Sequence, residues 1–398
     1  MESCDVLIIG AGHGGVSVAA ELRRIGYPGS ITLVNGEGAA PYHRPPLSKA
    51  WLKGDADADS GWLQPPGYFD LNDIRLLSRT RVAELDAERR VAHFDDGRTF
   101  GFEFAVLATG ALARPLPGQT DGQLPLLSLR DAADAATLKE LLAPGSRLAI
   151  VGAGFVGLEV AATARHLGVE VCVIERESRV LARLASVELS AQLARHHEVH
   201  GVEILVDADV KALRSNPQGG IDVTIGSSAP REFDSVLVAI GAVPDETLAR
   251  TAGLDCSNGV IVDDCGRTST PHVFAVGDVA RRPLQPFADS ARLESVHNAN
   301  EHARIVAATI AGAASPVPAP PWFWSDQFDW KLQIAGLLPN DADTEVRGDP
   351  ASGSFALLHR VDGRLRCVEA VNASREFALG RRQIASDAKP ADQLISAS

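Results

Sequence analysis

The 398-residue chain is poor in cysteine, holding only Cys4, Cys172, Cys256, Cys265 and Cys367. No two of them form C-x-x-C, and an odd, scattered set excludes both a disulfide framework and an obvious redox dithiol. Buried filler is their expected role. Basic charge is also short: 38 Lys and Arg against 51 Asp and Glu leave a net charge of −13. That argues against a nucleic-acid partner, since phosphate binding needs a basic face. No apolar run approaches about 20 residues, so no segment is expected to span a membrane. Met1-Glu2-Ser3-Cys4-Asp5 leads directly into a strand-like run without a signal peptide, which predicts a cytoplasmic protein. No metal centre is expected.

What is present is glycine, 36 residues of it, in a chain that is 45% hydrophobic. This suits an α/β protein with many tight strand-to-helix turns, and the length predicts two or three domains. Two of the turns are dinucleotide fingerprints: Gly10-Ala11-Gly12-His13-Gly14-Gly15 and Gly152-Ala153-Gly154-Phe155-Val156-Gly157. Each follows an apolar run, Val6-Leu7-Ile8-Ile9 or Leu148-Ala149-Ile150-Val151, and opens a helical stretch. The glycines let backbone approach a pyrophosphate, and the helix N-terminus offers free N–H groups to it. One such motif is weak evidence; two in this context imply two dinucleotides, most simply a bound FAD and a visiting nicotinamide.

The first βαβ unit runs from Asp5 to Glu37, with a helix over Gly15–Ile25 and a strand at Ile31–Val34. Phe104–Gly110 reads as a buried strand whose Thr109-Gly110 end turns into the site, and the second unit occupies Ser146–Glu175. Ser235–Gly241 is a further strand. Val273–Asp278 is another, followed by a helix over Ala291–Ile310. Asp55–Pro66 reads as a surface excursion, and Ala311–Pro321 as a linker. Short β segments then follow around Leu332–Ala335, Phe355–Arg360 and Leu365–Val371. The predicted division is 1–110 and 242–314 for a discontinuous FAD domain, 111–241 for an NAD domain and 315–398 for a small α+β domain.

Glu37 is placed to bind an adenosine ribose, though a loop acid in Asn35-Gly36-Glu37-Gly38 reads the same way. Asp278, after an apolar strand and Gly277, fits the ribityl or pyrophosphate part of a flavin. Glu175 closes Val169–Ile174, where an acid binds a ribose diol and repels a 2′-phosphate, favouring NADH over NADPH. Arg176 and Arg183 could neutralise such a phosphate or be solvated charges. Lys49 is equally a surface lysine and a site residue, and Glu159 equally an acid serving the helix dipole.

Together Pro41-Tyr42-His43-Arg44-Pro45-Pro46-Leu47-Ser48-Lys49, Val151–Val160, Phe274–Ala280, Arg292–Ala299 and Pro321-Trp322-Phe323-Trp324-Ser325-Asp326-Gln327 resemble one family. These are the FAD-dependent, NADH-oxidising ferredoxin reductases of Rieske-type dioxygenases, including those of aromatic hydrocarbon catabolism, and of bacterial cytochromes P450. The resemblance covers nearly the whole chain. It implies a glutathione-reductase-like α/β fold of two Rossmann-like domains plus a small α+β C-terminal domain. It implies FAD and NADH as cofactors and a [2Fe-2S] ferredoxin as partner, with a terminal oxygenase reached only through that ferredoxin.

Residue by residue, Gly10, Gly12, Gly14, Glu37, Arg44 and Lys49 would contact the flavin, as would Val82, Arg130, Asp278 and Val296. Gly154, Phe155, Val156, Glu159, Glu175, Arg183 and Gly241 would line the nicotinamide cofactor. Lys49 would pair with Glu159 beside the flavin, and Trp324 would lie near its ring edge, with a core role in an aromatic cluster as the other reading. His359–Arg382 carries six arginines against three acids, a basic stretch suited to an acidic ferredoxin. Two other readings stay open: a broad-acceptor NADH oxidase or disulfide-type reductase, which the missing cysteine pair disfavours, and a redox-sensing protein similar to apoptosis-inducing factor.

Overall fold

The computed structural model describes residues 2–56, 61–117, 124–285 and 287–387. The expected excursion at Asp55–Pro66 and the tail of the C-terminal segment therefore lie partly outside the described residues. The chain separates into two compact units: Met1–His43 with Asp59–Leu112 and Val243–Phe323, and Arg44–Ala58 with Ala113–Ala242 and Trp324–Ser398.

The first unit is built on strands β1 (Glu2–Ile9), β2 (Ile31–Asn35), β3 (Ile74–Ser78), β4 (Val82–Asp86), β5 (Val91–Phe94) and β6 (Thr99–Leu107), with helix α1 at His13–Arg24. The sheet order is β3-β2-β1-β6-β5-β4, and Val273–Ala275 also pairs with β6. The pairs among β3, β2, β1 and β6 are parallel, while β4, β5 and β6 form an antiparallel meander. Alternation along β1 divides the core. Val6 and Ile8 pack with Val16, Ala19 and Leu22 of α1 and with Ala303, Val306 and Ala307 of the helix Val296–Ile310. Leu7 and Ile9 face the opposite layer with Phe94, Phe100 and Leu248. Each such fully buried aliphatic contributes about 1.5–3 kcal/mol by leaving water.

The predicted helix over Ala291–Ile310 begins later than expected, at Val296. Ala288–Ala291 is instead a strand, antiparallel to Ala280–Leu284. Ser295 stops the helix from extending backward, because its side chain accepts the Asn298 N–H as an N-cap.

The second unit has a four-stranded sheet in the order Val202–Leu205, Glu170–Ile174, Arg147–Val151, Ser235–Val238, all parallel. The helix Phe155–His166 crosses between Arg147–Val151 and Glu170–Ile174. Its stretch Gly157–Ala164 is buried throughout. A five-stranded sheet follows, ordered Trp322–Gln327, Trp330–Gly336, Arg364–Val371, Ser354–Val361, Asp343–Asp349, with the helix Ser374–Asp387 packed on it. Glu369 of this sheet is buried and accepts from the N–H and hydroxyl of Ser186, the N-cap of helix Val187–Val199, at 2.8 and 2.5 Å. His359 lies 2.9 Å from the same carboxylate. Among the described residues, no helix is long and apolar enough to cross a membrane.

Candidate functional site: two glycine turns and a buried lysine–glutamate pair

The two fingerprints share one backbone solution. Gly10 has φ +111° and Gly152 φ +106°. A Cβ at either would collide with a carbonyl oxygen, of Ala108 in the first unit and of Ala239 in the second. Only glycine fits a position with both constraints. Gly15 and Gly157 likewise pack against the carbonyls of Gly10 and Gly152, holding each helix start close to its strand. Gly12 and Gly154, by contrast, face open space, where a Cβ would meet nothing nearer than 3.9 Å. Both are the N-cap residues of their helices and lack a side-chain cap. A helix N-terminus that opens beside free space is what a pyrophosphate requires, so the residues present fit two dinucleotides.

In the first unit Glu37 follows β2, and its Oε2 accepts from the Tyr42 hydroxyl at 2.6 Å. His13 opens α1, with its ring 3.2 Å from that of His43. A Cβ at Gly14 would lie 3.2 Å from the Val276 side chain, Thr109 donates to the Asp245 carbonyl at 2.8 Å, and Gly110 turns with φ +74°. Asp278 lies in the short 3₁₀ turn Gly277–Val279, and Val296 opens the helix Val296–Ile310. Val82, at the start of β4, packs against the core.

In the second unit Glu175 follows its strand, and both carboxylate oxygens accept backbone N–H groups. Oε2 takes Ala153 of the glycine turn at 2.7 Å, and Oε1 takes Glu177 at 2.8 Å. Each oxygen keeps a lone pair for a ribose hydroxyl. Phe155 and Val156 form the first turn of the helix, with Val156 43% exposed, and Gly241 turns with φ +99°. Arg183 is exposed, and Arg44 donates to the Arg130 carbonyl at 2.5 Å.

The same unit brings Lys49 and Glu159 together, Nζ to Oε2 at 2.6 Å. Lys49 sits at the break between the 3₁₀ turn Pro45–Ser48 and the short helix Ala50–Lys53. The Ser48 carbonyl is anchored to the nucleotide helix by the Thr163 hydroxyl at 2.8 Å. Glu159 is one residue beyond the first helical turn, 93% of its side chain buried, so service to the helix dipole does not explain it. Ser48 donates to Oε2 at 2.5 Å and Ser325 to Oε1 at 2.6 Å. A buried carboxylate is tolerable only with such partners.

Sequence reasoning missed what lies behind Ser325. Gln327 donates to the Ser325 hydroxyl at 3.0 Å, and His197 Nε2 donates to Gln327 Oε1 at 2.8 Å. A directional chain thus runs His197, Gln327, Ser325, Glu159, Lys49. Burial lowers the His197 pKa to about 4, so the ring is neutral at its post. Trp324 is half-buried on the strand that carries Ser325.

All five cysteines are free thiols. Burial raises Cys4 to about 11 and Cys172 to about 12, and pushes Cys367 well above its ordinary value. Thiols so protonated are poor nucleophiles.

This is the build of a two-dinucleotide oxidoreductase. The chain belongs to the pyridine nucleotide-disulphide oxidoreductase family, whose pattern matches residues 4–303, and a reductase C-terminal pattern matches 322–397. FAD and NAD(H) are its cofactors. It is 42% identical to the probable ferredoxin reductase CtmF of Castellaniella defragrans, over 95% of this chain and 93% of that protein. Rhodocoxin reductase of Rhodococcus erythropolis is 39% identical over 96% and 90%. The crystal structure of the covalent putidaredoxin reductase–putidaredoxin complex superposes with a TM-score of 0.92 at 33% identity, covering 100% of this chain and 99% of that one.

Proposed function

We propose that this chain is a cytoplasmic NADH-dependent reductase that supplies single electrons to a [2Fe-2S] ferredoxin, and through it to an oxygenase. Its similarity to named ferredoxin reductases along nearly their full length supports the partner class. The observation that carries the redox chemistry is the twin glycine turns in a chain whose most buried thiols are held protonated. Bound FAD supplies the exchange between a two-electron donor and a one-electron acceptor.

The chain's residues orient and stabilise. In the first unit Gly10, Gly12, His13, Gly14 and Gly15 hold a pyrophosphate, Glu37 a ribose, and Asp278 and Val296 the flavin end. In the second, Gly152, Gly154, Phe155, Val156 and Gly157 seat NADH, with Glu175 on its ribose. Positioning of this kind makes hydride transfer effectively intramolecular. The Lys49 ammonium, held by Glu159, offers a fixed positive charge to the negative charge that reduction creates. Arg375 and Arg382 are exposed on the helix Ser374–Asp387, and Glu369, one of the acids that dilutes the basic stretch, is buried away. Those arginines are our docking surface for an acidic ferredoxin.

Steady-state turnover with a [2Fe-2S] ferredoxin, compared with oxygen alone, tests the proposal. NADH oxidation should depend on the ferredoxin. Equal turnover with oxygen would replace this reading with an NADH oxidase.

A further inference from the structure

A histidine pair lies where the helix Val187–Val199 ends. His196 and His200 are four residues apart, so both rings project from one face. Opposite them, Asp329 stands in the turn between the strands Trp322–Gln327 and Trp330–Gly336. One donor atom from each of the three lies within 4.8 Å of the others. His196 Nε2 approaches Asp329 Oδ1 at 3.0 Å. That separation is close to the roughly 3.3 Å edge between two ligands of a tetrahedral zinc ion with bonds of about 2.0–2.1 Å. Despite the short approach, His196 Nε2 is a buried nitrogen without an aligned hydrogen-bond partner.

The rings are already oriented. His200 Nδ1 lies 2.8 Å from the His196 carbonyl oxygen. A carbonyl only accepts, so Nδ1 carries the proton and Nε2 keeps the lone pair a metal needs. His196 stacks on Trp330 with centroids 4.0 Å apart, and His200 stacks on Phe328 at 4.0 Å. Phe328 holds this place at φ +53°, a conformation that bulky side chains disfavour. The negative end of the helix dipole also favours a cation here.

We propose that His196, His200 and Asp329 form a binding site for a zinc-type divalent cation, a clamp between the helix Val187–Val199 and the turn at Phe328-Asp329. Two imidazoles and a carboxylate are a borderline-hard donor set suited to Zn²⁺, with water completing the tetrahedron. An occupied site fixes the turn next to Gln327, whose strand positions Ser325 against Glu159.

The test uses untagged, FAD-loaded protein, because a histidine tag would bind the same ions. Calorimetric titration with Zn²⁺ should show one saturable site that His200→Ala and Asp329→Asn each weaken at least tenfold. Both residues are exposed, so both variants should keep their flavin spectrum and their metal-free turnover with ferricyanide. Co²⁺ should give the intense visible bands of a tetrahedral ion, at wavelengths beyond the flavin's absorption, in the wild type alone. Zn²⁺ should raise the thermal midpoint of the wild type and leave both variants unmoved. Identical titrations for wild type and variants, or no saturable binding, would overturn the site.

Discussion

The two glycine turns share one steric arrangement: Gly10 against Ala108 and Gly152 against Ala239, with φ values of +111° and +106°. The acids behind them are treated differently. Glu37 is held by a side chain, the Tyr42 hydroxyl, whereas Glu175 is held by two backbone N–H groups, one from the glycine turn itself. The second acid therefore cannot be displaced without disturbing the glycine turn that donates to it. Each unit also buries a neutral histidine. His302 of the first unit is entirely enclosed without a hydrogen-bond partner, its pKa driven well down by burial and by Arg282. His197 of the second is linked through Gln327 and Ser325 to Glu159.

The sharpest way to break this comparison is at the shared steric position. Gly10→Ala should leave colourless protein, since the added Cβ overlaps the Ala108 carbonyl and the flavin cradle cannot form. Gly152→Ala should stay yellow and lose nearly all NADH turnover. The flavin absorbance and the NADH kcat/KM read the two effects separately. Equal flavin loss in both would mean the units do not divide the cofactors.

Next in size is Lys49→Met, expected to slow stopped-flow reduction by NADH about a hundredfold, the usual loss of a fixed electrostatic partner, with little change in flavin retention. Ser325→Ala should give a fraction of that loss, because Glu159 keeps Ser48 and Lys49. An unchanged reduction rate in Lys49→Met would reduce the pair to a structural ion pair.

The glycine turns were legible in the sequence because each flanks a local strand and helix, and local signals survive in one dimension. Glu175 was legible for the same reason. The chain from Glu159 to His197 was not, since Ser325 and Gln327 lie 166 and 130 residues from their partners. Neither residue type carries a signal of its own. The helix was placed from Ala291 because alanine favours helices and a true helix follows. Antiparallel pairing with Ala280–Leu284 overrides that preference, and Ser295 with Asn298 marked the real start. Asp343–Asp349 went unread because all seven residues are exposed on an edge strand, so no hydrophobic alternation exists. His196 and His200 had a readable four-residue spacing, but their third partner arrives only through the fold.

A smaller effect concerns the second acid. Glu175→Gln should narrow the preference for NADH over NADPH about tenfold, roughly 1.4 kcal/mol, by removing the charge that repels a 2′-phosphate. One of the two backbone N–H groups then faces the amide NH2 and loses its acceptor, so the variant is also expected to loosen the turn slightly. The ratio of kcat/KM values measures the preference. An unaltered ratio would assign the preference to Arg176 or Arg183.

The smallest expected effect separates the two buried histidines. His197 Nδ1 has no hydrogen-bond partner, so a second proton would be buried uncompensated, and the folded pKa falls to about 4 from an ordinary 6.5. A depressed histidine pKa means the unfolded chain binds the proton first. The stability it contributes is complete above pH 6.5 and drains away as pH falls toward 4. Over the single unit from pH 6.5 to 5.5 the loss is about 1 kcal/mol. His197→Gln should flatten that part of the slope in thermal unfolding. It should also alter the flavin reduction rate, because the ring orients Gln327 and, through Ser325, the carboxylate that holds Lys49. His302→Leu should flatten its own part of the slope and leave the reduction rate alone. If both variants change the rate equally, the hydrogen-bonded chain carries nothing to Glu159, and His197 is as purely structural as its counterpart.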